Sequence, residues 1–119
     1  MILENKIILV TGGSGLLGKS FIEDINKKGG IAINLDINNI NDIDNNTLNL
    51  DVTCDKSIKE SLELIMNKYS RIDGLVNNAY PRTLDWGNKF EDITTKSFSD
   101  NIDMQLSRIF AISKPVLDI

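Results

Sequence analysis

The sequence predicts an α/β fold, a doubly wound parallel sheet with helices on both of its faces. Two observations predict this fold. Short apolar runs alternate along the chain with segments whose apolar residues recur at helical spacing, and the first apolar run leads directly into a glycine-rich turn. Strands that alternate with helices are typically parallel, and right-handed crossovers place the helices on both faces of the sheet.

The first half of the chain predicts two strands and one helix. A strand over residues 6–10 precedes a helix over about 15–28, whose apolar side chains recur every four residues until Gly29-Gly30 end it. The apolar run Ile31–Leu35 then predicts a second strand, which ends at Asp36.

The second half repeats the alternation after an Asn-rich surface connection over residues 38–46. Thr47–Val52 predicts a third strand, Asp55 is expected to cap a second helix, and Ile72–Val76 predicts a fourth strand. A third helix is expected to begin near Thr94 or Thr95 and to carry an apolar stripe that consists of Phe98, Ile102, Leu106, Ile109 and Phe110.

Length and composition narrow the class of protein. The 119 residues suffice for one domain, 1–119, and the net charge of −4 without a basic cluster argues against a nucleic-acid partner. There is no signal peptide and no apolar run long enough to span a membrane, so a cytoplasmic location without a membrane partner is expected. With no histidine and Cys54 as the one cysteine, no metal site is expected.

The glycine-rich turn predicts a site for a dinucleotide. It joins a strand to a helix, so it places unpaired backbone N–H groups and the positive end of a helix dipole where the chain leaves the sheet. In the Rossmann type of α/β fold this arrangement holds a pyrophosphate. The residues expected to line the pyrophosphate and the adjoining ribose are Gly12, Ser14, Gly15, Leu17 and Gly18.

Asp36 predicts which dinucleotide is bound. It ends the second strand, where an acidic side chain is expected to accept hydrogen bonds from the adenosine ribose. The same carboxylate would repel a 2′-phosphate, and the next residue, Ile37, supplies no compensating cation. The sequence therefore predicts NAD rather than NADP as the cofactor.

Taken together, these residues resemble the short-chain dehydrogenase/reductase family. The resemblance rests on the glycine turn, Asp36, Leu50-Asp51-Val52-Thr53, Asn77-Asn78-Ala79 and Asn101, which occur in the family's order and spacing over essentially the whole chain. It implies that Asp51 and Val52 flank the adenine and that Asn77 and Ala79 line the central part of the cofactor. It also implies that Asn101 holds a water of a catalytic proton relay.

The chain departs from the family pattern in three places. Its glycine spacing, Thr-Gly-x-x-Gly-x-x-Gly, resembles the extended, epimerase-like branch, whereas Asn77-Asn78-Ala79 resembles the oxidoreductase branch. Tyr80 replaces the usual glycine, and the resulting motif is similar to that of bacterial members associated with flagellin or surface-sugar modification. The family's catalytic Tyr-x-x-x-Lys pair is missing, which indicates an N-terminal portion of a longer enzyme that is inactive by itself.

The resemblance implies reversible hydride transfer between NAD(H) and a small alcohol or carbonyl substrate, in a protein that forms a homodimer or homotetramer. Arg82 is a candidate contact for an anionic substrate such as a sugar acid. Three alternatives remain: a nucleotide-sugar epimerase or dehydratase, a non-catalytic NAD-binding module, and a nonfunctional remnant.

Overall fold

A computed structural model describes the whole chain from Met1 to Ile119 and contains a four-stranded parallel sheet. The strands are β1 (Ile7–Thr11), β2 (Ile31–Asp36), β3 (Thr47–Asn49) and β4 (Gly74–Val76). Their order across the sheet is β3-β2-β1-β4, so β1 and β2 are central and the short strands β3 and β4 lie at the edges. The predicted fold class is confirmed.

Four α-helices connect or follow the strands: α1 (Leu16–Lys27), α2 (Asp55–Tyr69), α3 (Thr95–Ile102) and α4 (Arg108–Leu117). Short 3₁₀ turns occupy Ile43–Asn45 and Phe90–Asp92. None of the helices is both long and apolar enough to cross a bilayer.

The core has two layers because successive strand residues point to opposite faces of the sheet. Leu9, Ile33 and Leu35 pack on the face covered by α2 and α4, where Ile65 and Ile112 are almost fully buried. On the other face, the smaller cluster of Val10, Ala32 and Ile25 packs β1 and β2 against α1. The sheet therefore carries helices on both faces.

Several predicted boundaries were wrong. The third strand ends at Asn49, not Val52, because the Asp51 carboxylate accepts a hydrogen bond from the Thr53 N–H (2.9 Å) and turns the chain. Asp55 does not cap α2. It is the first helical residue, and Cys54 stands at the cap position without a side-chain hydrogen bond.

The last predicted helix begins where the sequence predicted. Its middle is not regular α-helix, and the apolar side chains of its predicted stripe are not buried. Thr94 caps α3, its hydroxyl accepting a hydrogen bond from the Ser97 N–H (3.1 Å). Between α3 and α4 the helix continues as a π-helical turn over Asp103–Ser107. Every side chain of its predicted apolar stripe is exposed.

Candidate cofactor-binding site

A cleft of about 1100 Å³ opens at the carboxyl ends of all four strands. In open α/β sheets this edge is the usual place for a ligand. Eight of the predicted site residues line it: Gly12, Gly15, Leu17, Asp36, Asp51, Val52, Asn77 and Ala79. Two others, Ser14 and Gly18, are not among the residues that line it.

The glycine turn holds the start of α1 close to the end of β1. Gly12 has a φ of 65°, in the left-handed region that favours glycine. A Cβ on Gly18 would lie 2.1 Å from the Gly12 carbonyl oxygen, so only glycine permits this approach. The first N–H of α1 to find a backbone acceptor is that of Lys19, which donates to the Gly15 oxygen (3.0 Å).

The N–H groups of Leu16, Leu17 and Gly18 consequently have no acceptor within the protein. They point from the positive end of the α1 dipole, and Gly15 and Leu17 beside them line the cleft. A Cβ on Gly15 would meet only the Gly12 oxygen, at 3.3 Å. Backbone donors without a side chain in front of them are suited to an anionic group such as a pyrophosphate.

A polar network behind the turn was missed from the sequence. The Ser14 hydroxyl donates to the Asn39 Oδ1 (2.6 Å), and the Asn39 amide donates to the Asn34 Oδ1 (2.9 Å) and to the Leu48 carbonyl (3.1 Å). A Cβ on Gly13 would lie 2.4 Å from the same Asn34 oxygen. The Ser14 side chain therefore connects the turn to β2 and β3. It does not face the cleft, although the sequence predicts that it lines the pyrophosphate.

Asp36 ends β2 at the floor of the cleft and is only 8% exposed. One carboxylate oxygen accepts from the Ser14 N–H (3.1 Å) and the other from the Asn38 N–H (2.9 Å). Both bonds fix the orientation of the carboxylate, and each oxygen keeps further acceptor capacity. No lysine or arginine forms an ion pair with it.

Asp51 and Val52 form the next part of the wall, beyond β3. Asp51 is fixed by its bond to Thr53, and the Val52 carbonyl accepts from the Nε of Arg108 (2.7 Å). Arg108 also pairs with Asp55 (2.6 Å). This arginine, which sequence reasoning missed, joins the start of α4 to the cleft wall.

Thr11 joins the two halves of the cleft, and sequence reasoning missed it as well. Its buried hydroxyl accepts hydrogen bonds from the N–H groups of Asn78 and Ala79, both at 3.0 Å. The Asn78 amide in turn donates to the Gly12 carbonyl (3.2 Å), whereas the Asn77 amide donates to the Ser113 hydroxyl on α4 (3.2 Å). Because of these bonds, the segment after β4 lies against the glycine turn.

The structure does not bring Asn101 to the cleft. Its amide nitrogen donates to the Thr83 hydroxyl and the Ser97 carbonyl, both at 2.8 Å, and its oxygen accepts from the Thr83 N–H (3.0 Å). The π-helical turn instead places Met104 and Gln105 in the wall. An irregular helical turn at a cleft was not visible in the periodicity of the sequence.

The fold and this cleft define an α/β protein of the Rossmann type. The family profile for short chain dehydrogenases matches residues 6–119, and the chain belongs to this family. Dehydrogenases are oxidoreductases, and a nicotinamide cofactor fits the free N–H groups and the bare Gly15 surface.

Individual relatives agree with this assignment. The chain is 39% identical over 97 residues to the post-translational flagellin modification protein A of Campylobacter coli, a match that covers 71% of this chain and 38% of that protein. It is 32% identical over 125 residues to the 3-oxoacyl-acyl-carrier-protein reductase of Salmonella typhimurium, over 98% of this chain and 50% of that one. The chain thus spans half or less of the length of these relatives.

Solved structures of dehydrogenases also resemble this chain. The aldohexose dehydrogenase of Thermoplasma acidophilum superposes with a TM-score of 0.82 at 27% identity, over 98% of this chain and 45% of that chain. A short chain dehydrogenase from Leptospira borgpetersenii, solved with bound NAD⁺, superposes with a TM-score of 0.77 at 28% identity, over 96% of this chain and 45% of that chain.

Proposed function

We propose that this chain provides the NAD-binding half of an oxidoreductase that transfers hydride to or from a small alcohol or carbonyl substrate. The observation that carries the proposal is the position of Asp36, a buried carboxylate at the floor of the cleft with no basic partner. A ribose can donate hydroxyl hydrogen bonds to it, whereas a 2′-phosphate would meet an uncompensated negative charge. NAD is therefore favoured over NADP.

The bound nicotinamide supplies the hydride chemistry, and the residues of this chain orient it. The free N–H groups at the start of α1 would donate hydrogen bonds to the pyrophosphate, and Asp51 and Val52 would border the adenine. Asn77 and Ala79 line the half of the cleft next to β4, where the nicotinamide ring would lie. Because the family's Tyr-x-x-x-Lys pair does not occur in residues 1–119, these residues receive the binding role and not the proton transfer.

A sugar-related substrate is the form of this proposal that the relatives support. Besides the flagellin modification protein, the chain is 29% identical over 89 residues to a sorbitol-6-phosphate 2-dehydrogenase of Klebsiella pneumoniae, over 69% of this chain and 33% of that protein. The sorbitol-6-phosphate and aldohexose dehydrogenases are named for a polyol phosphate and a sugar, and the Campylobacter coli protein is named for the modification of flagellin.

Calorimetric titration of the full chain with NAD⁺ and with NADP⁺ tests the cofactor. We expect NAD⁺ to bind more tightly, and Asp36→Ala to weaken NAD⁺ binding about ten- to a hundredfold, the value of one or two hydrogen bonds to a charged group. The same substitution is expected to reduce the difference in binding affinity between NAD⁺ and NADP⁺. Asp42→Ala, which removes an acidic side chain outside the cleft, is the control.

The proposal is wrong if the chain binds neither cofactor, or if Asp36→Ala and Asp42→Ala change NAD⁺ affinity equally. Cofactor binding without turnover by residues 1–119 agrees with the proposal, because the family's Tyr-x-x-x-Lys pair does not occur in them. The non-catalytic NAD-binding module predicts no turnover even when the full gene product is tested.

A further inference from the structure

The negatively and positively charged side chains of the cleft lie at opposite ends of it. Three charged residues line it: Asp36 at the end of β2, Asp51 after β3, and Arg82 after β4. Because the strand order is β3-β2-β1-β4, the two acids lie at one end of the cleft and the arginine lies at the other. In the proposed function the two acids lie at the adenosine end and the nicotinamide ring would lie at the β4 end, so Arg82 stands at the end where a substrate would meet that ring.

Arg82 has no carboxylate partner. No ion pair forms within 4.0 Å of it, and its one hydrogen bond in the structure is donated from Nη1 to the Tyr80 carbonyl (3.2 Å). The nearby acid, Asp85, accepts a hydrogen bond from the Thr83 hydroxyl instead. The remaining N–H donors of the guanidinium are therefore free for an acceptor from outside the protein.

An aromatic pair beside Arg82 shapes this end of the cleft. The Arg82 guanidinium carbon lies 5.7 Å from the centre of the Tyr80 ring, within the range of a cation–π contact. The Tyr80 ring meets the Trp86 ring edge to face, with 5.7 Å between centres and 84° between planes. These contacts orient the guanidinium beside the Tyr80 ring, while Arg82 and Tyr80 both stay exposed and open to a ligand.

We propose that Arg82 and Tyr80 form a subsite for the oxyanion of a hydroxylated substrate, a carboxylate or a phosphate carried on a sugar or polyol. The guanidinium would bind the oxyanion through its fork of N–H groups, and the Tyr80 ring would contact the carbon skeleton. This inference rests on the proposed function, because it assumes that the cofactor fills the rest of the cleft.

A binding experiment with NAD⁺-saturated full chain tests the subsite without requiring turnover. The probes are glucuronate, glucose as its neutral match, and inorganic phosphate. We expect glucuronate to bind more tightly than glucose, to shift the Arg82 Nε–H resonance, which is assigned from its loss in Arg82→Lys, and to be displaced by inorganic phosphate. Arg82→Ala is expected to weaken glucuronate binding about tenfold or more while glucose binding stays the same.

The matched control is Lys89→Ala, which removes an exposed cation from the same loop but not from the cleft. The inference is overturned if NAD⁺ binds but Arg82→Ala and Lys89→Ala affect glucuronate equally. It is also overturned if Arg82→Ala weakens NAD⁺ itself, since the guanidinium would then serve the cofactor's phosphates. Failure of the unmodified chain to bind NAD⁺ is a different result, which contradicts the proposed function.

Discussion

Gly15 and Gly18 lie one helical turn apart, yet an added methyl group would meet different neighbours at the two positions. At Gly18 the Cβ would collide with the Gly12 carbonyl at 2.1 Å, inside the protein. At Gly15, where φ is −78°, the backbone suits any residue, and the methyl group would project into the cleft. The two substitutions therefore separate folding from cofactor binding.

We expect Gly18→Ala to lower the free energy of unfolding by about 1–3 kcal/mol, the usual cost of overpacking. Gly15→Ala should lower it by about 1 kcal/mol at most, because alanine is a poorer helix N-cap than glycine but its methyl group would meet the Gly12 oxygen only at 3.3 Å. NAD⁺ affinity should fall in both. Urea denaturation and NAD⁺ titration of the two variants provide the measurement, and equal destabilisation by both would show that the Gly15 surface is not open.

Among individual residues, the sequence predicted those whose role depends on their neighbours along the chain. Gly12, Gly15 and Asp36 follow from a strand, a turn and a strand end, and all three line the cleft. Thr11 and Arg108 were missed because their partners lie more than 50 residues away, where no local pattern reports them. Asn101 was assigned by counting residues from Asn77, whereas in the structure its amide is held by Thr83 and Ser97 away from the cleft.

Among the elements, the start of β4 is fastened to the start of β1 by a carboxylate. Asp73 accepts a hydrogen bond from the Ile7 N–H (2.8 Å), and Arg71 donates to the same carboxylate. The Arg71 guanidinium and the Ile7 N–H hold the pKa of Asp73 below its ordinary value of 3.8. Two strands far apart in the chain thus depend on one ionised group.

Because the pKa of Asp73 is lowered in the folded chain, its contribution to stability is fully present above pH 3.8 and is lost as the pH falls through the lower, folded value. We expect the melting temperature of the unmodified chain to drop more steeply on acidification than that of Asp73→Asn. Asp44→Asn, at an exposed carboxylate without a side-chain partner, should keep the steep profile. Parallel slopes for all three proteins would contradict this assignment.

Periodicity predicted the helices and the two long strands because their patterns extend over several residues. Strands β3 and β4 are only three residues long, and neighbouring turns determine where they end. The π-helical turn Asp103–Ser107 was not predicted, because its apolar residues keep a spacing that an ordinary helix would also show.

Across the whole molecule, an apolar surface runs along α3, the π-helical turn and α4. The exposed fractions of Phe98, Ile102, Leu106 and Phe110 are 62%, 48%, 66% and 66%, and these residues recur at intervals of four. An apolar surface of this kind typically marks an interface. We propose that a second copy of the chain covers it, in accordance with the homo-oligomer expected from the sequence.

Sedimentation velocity tests this proposal. We expect the unmodified chain to sediment as a dimer or larger species, and the double variant Leu106→Glu and Phe110→Glu to sediment as a monomer, because two charges would have to be buried without partners. Leu84→Glu, at an isolated and fully exposed loop position, should leave the association intact. A monomeric unmodified chain would rule out the proposed interface.

The Thr11 hydroxyl also has a consequence for how the protein folds. The N–H groups that it accepts belong to residues 67 and 68 positions further along the chain, so the cleft is closed by contacts of high sequence separation. Helices α1 and α2 form from local contacts, whereas this closure must first overcome the entropy of a long loop. Competence to bind a nucleotide is therefore expected to arise late in folding, after most of the helical structure has formed.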